Sequence, residues 1–271
     1  MPTTIYKFFG FLKRLSLIDR WSLMFSTRKE NVKEHSWDVA AIAHNLCVIS
    51  NTIIHEGDDP FGIGLLDANK AVTYALFHDA AESITGDMPT PVKYFSAEVK
   101  TASDRVETLA NRKITSSLPA EMKIVYEEVF SIPSEYKKII KAADRIAALV
   151  KCLEEKKRGN DEFARAEVRL VEALEETRKE MPEVGYFLEH FLPGFQMSLD
   201  ALCEGNGSWI IDSEEEAEES LDLTEYRGHD YGLDSDDKTL CDTCKKADVS
   251  CPIYPQVTQA CVEYRTEVGC V

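Results

Sequence analysis

Apolar residues recur at helical intervals along most of this chain, and in one place the recurrence runs straight into charge. Ala71, Tyr74 and Ala75 share one stripe of a helix expected to start at Asp67 or Asn69 and to end near Thr85 and Gly86. The same stripe continues into His78 and Glu82, where a core-facing helix should carry Leu or Ile. Burying such groups is costly unless a partner offsets the lost hydration. His78 and Asp79 together offer a neutral nitrogen and a carboxylate from one helical turn, and Glu82 follows a turn later. That donor set suits a divalent cation, although a hydrogen-bonded core histidine would account for His78 taken alone.

The remaining pattern predicts further helices and no convincing alternating strand, so the fold class expected is all-α. Residues 5–15 give a short amphipathic helix with Ile5, Phe8, Leu12 and Leu15 on one face. Asn31 can cap a helix whose stripe contains His35, Val39, Ile42, Leu46 and Ile49, which places a second histidine on a buried face. His44 falls on the opposite side, and His55 sits in a Gly/Asp/Pro segment, so neither suits a ligand. Residues 87–93 contain Pro89 and Pro91 and read as a loop that offers Asp87, Thr90 and Lys93 for substrate contacts. Helices are expected at about 96–117 (Val99, Ala102, Val106 and Leu109 as the apolar stripe), 121–130, 134–157, 161–180 and 186–202. In the fourth of these five stretches' predecessor, 134–157, Asp144 lies at the stripe's edge among alanines, where a ligand can approach it closely; a pairing with Arg145 or simple solvation explains it as well.

Composition changes the picture mainly at the C-terminal end. The chain has 271 residues, of which 44% are hydrophobic, enough for one sizeable globular core. Its net charge is −17, but thirteen acidic residues against one arginine between Glu204 and Asp237 account for most of it. That stretch has too few apolar residues to bury a core and is expected to be a flexible linker over 204–240. A chain so acidic should repel duplex nucleic acid, which favours a small phosphorylated ligand. Lys7, Lys13 and Arg14 interrupt the N-terminal apolar runs, so no signal peptide or membrane span is expected, and the location expected is cytoplasmic.

In a reducing compartment eight cysteines do not form a disulfide framework. Cys47, Cys152 and Cys203 read as small core residues, whereas Cys241, Cys244, Cys251, Cys261 and Cys270 cluster in the last 31 residues, 241–271. A CxxC followed by further cysteines, in a piece too small to fold on burial alone, suggests a structural Zn²⁺ held by Cys241, Cys244, Cys251 and Cys261, with Cys270 able to replace one of them. A reduced tail without metal is the competing reading. The domain organisation expected is therefore a helical body over 1–203, the linker, and a small Cys-rich module.

Near the N-terminus, Arg20 and Trp21 set a guanidinium beside an indole; a surface arginine next to a core tryptophan is the plainer reading of the pair taken alone. In order, IDRW at 18–21, ENVKEHS at 30–36, HDAAE at 78–82 and TGDMPTPVKYF at 85–95, with Asp144 beyond, resemble the bacterial 5'-deoxynucleotidases of the HD-domain metal-dependent phosphohydrolases. KCLEE at 151–155 is also similar to that family, and the resemblance covers nearly all of 5–202. It implies an HD-domain helical bundle that hydrolyses deoxyribonucleoside 5'-monophosphates with one divalent metal (Co²⁺, Mn²⁺ or Mg²⁺) on His35, His78, Asp79 and Asp144. Arg20 would grip the phosphate, and Trp21 would pack where a 2'-hydroxyl is excluded. Thr90 and Lys93 would be secondary phosphate contacts, and a homodimer is implied as well. Glu82 and Asp87 would share the acid and base roles, which sequence alone does not divide between them. Two alternatives remain at this stage: a dNTP phosphohydrolase on the same fold, and a non-catalytic binding or scaffold protein working through the acidic stretch and cysteine module.

Overall fold

The computed structural model describes residues 4–54 and 65–203, so the acidic stretch, His55 and the cysteines from Cys241 onward lie outside the described residues. Within them the chain is helical, with no strand and a single isolated bridge between Asp19 and Asn31. The helices are α1 (Phe8–Lys13), α2 (Val32–Ile49), α3 (Ala68–Phe77), α4 (Glu82–Thr85), α5 (Thr90–Lys93), α6 (Ala97–Thr115), α7 (Ala120–Phe130), α8 (Ser134–Lys157), α9 (Ala164–Glu180), α10 (Pro182–His190) and α11 (Leu199–Cys203).

The centre is α2, packed against α3 and α8. Its N-terminus is fixed by a capping box: Glu34 N–H donates to Asn31 Oδ1 at 3.0 Å, and the Glu34 carboxylate accepts the Asn31 N–H in return. Extended by a π-helical turn (Ser50–Ile54), this is the one described helix long and apolar enough to cross a membrane. Its stripe of His35, Val39, Ile42, Leu46 and Ile49 is instead buried inside the bundle, joined there by Ala71, Tyr74, Ile139, Ala143, Ile146 and Val184. A second, aromatic cluster gathers Phe8, Ile114 and Leu118 with Phe77, Tyr126 and Phe130, so the last residue of α3 belongs to one cluster while its earlier turns belong to the other.

Several expectations are corrected. The first helix does not begin at Ile5, which is exposed, but at Phe8, and it tightens into a 3-10 turn (Arg14–Leu17). The helix through the His-Asp pair is not continuous. Asp67 caps α3 as expected, accepting from Asn69 N and Lys70 N, but the helix stops at Phe77. There His78 Nδ1 donates to the Ala75 carbonyl at 2.6 Å, taking the acceptor that an α-helical Asp79 N–H would use, and the chain passes through tight turns into α4. Gly86, at φ +72°, then ends α4 with its N–H on Glu82 O.

The supposed loop over 87–93 contains α5, because Pro91 sits in a first turn that has no use for its missing N–H. On α6 the buried face carries Ser103, Ala110 and Ile114, while Val106 and Leu109 of the expected apolar stripe are about half exposed. The last predicted helix is broken at Pro193 and Gly194 into α10, a 3-10 turn and α11. Cys47 and Cys152 are buried, and burial pushes both thiols up to about 12, so they stay protonated and inert. Cys203 is only partly buried and is not a core residue.

Candidate active site

The break between α3 and α4 turns His78, Asp79 and Glu82 toward the N-terminal end of α2 and the middle of α8. His35, fully buried on the first turn of α2, places Nε2 2.9 Å from Asp144 Oδ1, a contact across 109 residues of sequence. His35 and His78 face one another with ring centroids 5.7 Å apart, and donor atoms of His35, His78 and Asp79 all lie within 4.8 Å of one another. Because Nδ1 of His78 is committed to the Ala75 carbonyl, its Nε2 is the nitrogen left to bind, 3.0 Å from Asp79 Oδ2. That Nε2 is buried without a hydrogen-bond partner among the described residues. Two imidazoles and two carboxylates, with His78 Nε2 and His35 Nδ1 both lacking a hydrogen-bond partner among the described residues, are a donor set that fits a divalent cation.

Electrostatics gives the same picture. Burial works against a charged His78 ring, but Asp79 beside it outweighs burial and pushes the imidazole up to about 9. Asp79 and Asp144 are only partly buried, and although desolvation raises both, the neighbouring histidines and Arg20 outweigh it and lower both carboxyls, Asp79 the more strongly. Glu82 goes the other way: burial first, then Asp79 and Asp87, push its carboxyl up to about 9, and its Oε2 has no partner among the described residues. Asp87 is likewise raised by burial, against the pull of Arg20 and a hydrogen bond from the Trp21 backbone.

His78 and Glu82 thus keep protons in the folded chain at pH values where the unfolded chain, with ordinary values of 6.5 and 4.5, has lost them. The metal-free fold should therefore weaken as pH rises from about 4.5, through Glu82, and more steeply from about 6.5 to about 9, where His78 adds to it. A cation must displace those protons, so Mn²⁺ affinity and the rise in Tm on adding Mn²⁺ should both grow over that interval. Calorimetric titration in buffers of different ionisation enthalpy would show protons released at pH 7 and fewer at pH 9. No change in proton release would place the binding nitrogen elsewhere.

Arg20 spans the acid cluster, 3.8 Å from Glu30 and from Asp79 and 3.9 Å from Asp144. With Asp79, Glu82, Asp87, Thr90, Lys93 and Asp144 it lines a cavity of about 220 Å³. Lys93 is already engaged there, donating to Glu107 at 2.7 Å. Trp21 stands at the loop beside Arg20, next to the cavity but not among the residues lining it, with its indole edge against Phe163, centroids 5.3 Å apart, and its buried Nε1–H has no acceptor among the described residues. A larger groove of about 600 Å³ runs past Trp37, Asp38 and Glu154 but contains no histidine and none of these donors.

One residue of this assembly was not singled out from sequence. Glu30 lies 3.3 Å from His35 Nδ1. Burial pushes its carboxyl up, but His35 and Arg20 beside it outweigh burial and hold it low, so it faces His35 as a carboxylate. Keeping the His35 proton on Nδ1 frees Nε2 for a cation, the role outer carboxylates take toward metal-bound histidines. The available signal was its place in ENVKEHS, five residues before His35.

Comparison with known proteins bears on the whole described body. A family described as 5'-deoxynucleotidase YfbR-like matches residues 7–195. A 5'-deoxynucleotidase of Shewanella oneidensis is 43% identical over 197 residues, which are 72% of this chain and 96% of that protein. The 5'-deoxynucleotidase YfbR of Shigella flexneri serotype 5b is 40% identical over 200 residues, 73% of this chain and 96% of that one. Among solved structures, an HD-domain phosphohydrolase from Listeria innocua superposes with a TM-score of 0.59 at 25% identity, covering 72% of this chain and 91% of that one.

Proposed function

The chain belongs to the YfbR-like 5'-deoxynucleotidase family, and on that premise we propose how its residues divide the work. It is a metal-dependent phosphohydrolase that converts deoxyribonucleoside 5'-monophosphates to deoxynucleoside and phosphate. The observation that carries the residue assignment is the unsatisfied His78 Nε2 set beside Asp79 and facing the His35–Asp144 pair. His35, His78, Asp79 and Asp144 hold the cation, which is Mn²⁺, Co²⁺ or Mg²⁺. Bound there, it would supply acidified water, offset charge on the phosphoryl oxygens and favour the carboxylate form of Glu82.

Arg20 orients the phosphate. Glu82, next to the His-Asp pair, takes a proton from the attacking water as its oxygen bonds to phosphorus and the bond to O5' breaks. Asp87, whose carboxyl burial raises, is assigned to the sugar side, where it gives its proton to O5'. Trp21 covers the 2' face of the sugar.

A monophosphate suits this site better than a triphosphate: of the two Lys/Arg side chains lining the cavity, Lys93 is paired with Glu107 and Arg20 is shared among Glu30, Asp79 and Asp144, which leaves little positive charge for further phosphates. Phosphate release from dNMP against dNTP, with added Mn²⁺ or Co²⁺, tests this. Release of pyrophosphate or triphosphate from dNTP at comparable rates would favour the triphosphatase reading, and no release from any nucleotide would favour the scaffold one. Trp21→Ala should bring dAMP and AMP hydrolysis within about tenfold of one another, the scale of one lost steric exclusion. Arg20→Ala should weaken both substrates alike, and equal losses on both for Trp21→Ala would refute the steric role.

The same reading carries a cytoplasmic location, no affinity for duplex nucleic acid, a homodimer, and a catalytic body over 1–203. The acidic stretch over 204–240 then connects it to a zinc-stapled module over 241–271 that is dispensable for catalysis.

A further inference from the structure

Trp21 is the one non-glycine residue among the described residues with positive φ, at 56°. A bulky side chain rarely adopts that backbone, and it persists only where the surroundings over-determine it. The loop around it is closed at its base, where Arg20 N–H donates to Glu30 O at 2.9 Å and Val32 N–H to Ile18 O at 3.0 Å. Apolar burial does little for the far end: Leu23 is 71% and Phe25 85% exposed. A polar knot from the end of α8 holds it instead. Glu155, fully buried, accepts the Thr27 N–H at 2.8 Å and the Arg28 N–H at 3.2 Å. Lys151, also buried, donates to Glu155 and to the Arg28 carbonyl, and Asn160 donates to Glu155 and, at 2.7 Å, to the Phe25 carbonyl. The Lys151 ammonium sits 5.7 Å from the centroid of Phe163, the ring on which Trp21 rests.

We infer that Lys151, Glu155 and Asn160 form a clamp that positions Trp21, and through it sets discrimination against the 2'-hydroxyl; the second half rests on the role given to Trp21 above. A buried ion pair is often replaceable by apolar residues without loss of stability, so its value here is geometric. Lys151 lies two turns after Asp144 on α8, so one helix registers the sugar wall against a metal ligand. None of the three clamp residues lines the catalytic cavity. They are positioning residues.

The test uses full-length, metal-loaded protein carrying Trp37→Phe and Trp209→Phe, which leaves Trp21 as the only tryptophan. Lys151→Met with Glu155→Leu removes the clamp without orphaning a charge, and Asn160→Ala loosens it more gently should the pair fail to fold. In both, acrylamide quenching of Trp21 should rise by about half or more, and the dAMP-to-AMP ratio of kcat/KM should fall by about tenfold in the double variant, with metal content unchanged. Quenching equal to the parent's, or losses on both substrates in equal proportion, would overturn the inference. A Trp21→Ala control separates the two layers. A collapsed ratio there with an intact ratio in a loosened clamp variant overturns the clamp alone, whereas an intact ratio in both overturns the sugar role of Trp21 as well.

Discussion

Replacing His78 by alanine should strip the protein of its metal and take phosphate release to background while leaving the helices in place. The side chain contributes little to packing, since the core around it is carried by Ala75, Ala80 and Ala81, and its Nδ1 bond to the Ala75 carbonyl closes a turn that already has a backbone bond at the same oxygen. What alanine removes is the nitrogen that has no other partner. Asp79 would then lose the neighbour that holds its carboxyl low, and burial would drive it toward protonation, which weakens a second ligand. The check is metal content by elemental analysis beside far-ultraviolet circular dichroism. Full metal occupancy in a folded His78→Ala protein would remove His78 from the ligand set.

How legible this site was depended on whether a residue's partners were near it in sequence. His35 and His78 could be read because each interrupts an apolar stripe, and an apolar stripe says which side of a helix is buried whatever lies across from it. Asp144 could be noticed but not decided, because a carboxylate among alanines means little until His35, 109 residues away, is found at 2.9 Å. Glu30 was invisible for the same reason: an acid at the edge of a capping motif looks solvated, and only the fold brings His35 Nδ1 and Arg20 to it. The resemblance to a known family supplied what spacing could not for Arg20 and Trp21. It covered Glu155 within KCLEE but gave it no role: apart from the i,i+4 pair with Lys151, its acceptor contacts come from Thr27, Arg28 and Asn160, which helical periodicity does not relate to it.

The fold shows a similar division. Helix α8 begins right after Pro133 and runs to Lys157 as its stripe predicts, because its start signal and its buried face are both local. The break after Phe77 was missed since nothing in the composition of 74–85 forbids a helix; a side chain competing for one carbonyl ends it. On α6 Ser103, Ala110 and Ile114 meet the bundle, whereas of the apolar stripe Leu109 is exposed and Val106, half exposed, lines the cavity beside Ser103. Periodicity fixes which residues share a face, and only packing decides which face is buried.

Glu82→Gln should keep the metal, keep the substrate and slow turnover by about a hundredfold or more, the scale of losing a positioned acid or base. The glutamine is the informative change. In the metal-free protein burial and the carboxylates of Asp79 and Asp87 keep Glu82 protonated up to about pH 9, so near neutrality a neutral amide of the same shape should cost the fold little and remove a group that weakens it as pH rises. Thermal stability without metal should consequently be retained at pH 7, and its decline toward pH 9 should flatten relative to the parent. Glu82 has no place among the four ligands proposed, so Mn²⁺ stoichiometry should remain at one per chain. A purely structural glutamate would give the opposite pairing, with turnover near normal and stability lowered. Loss of metal together with activity would instead make Glu82 a ligand and leave Asp87 as the remaining candidate for handling the proton of the attacking water.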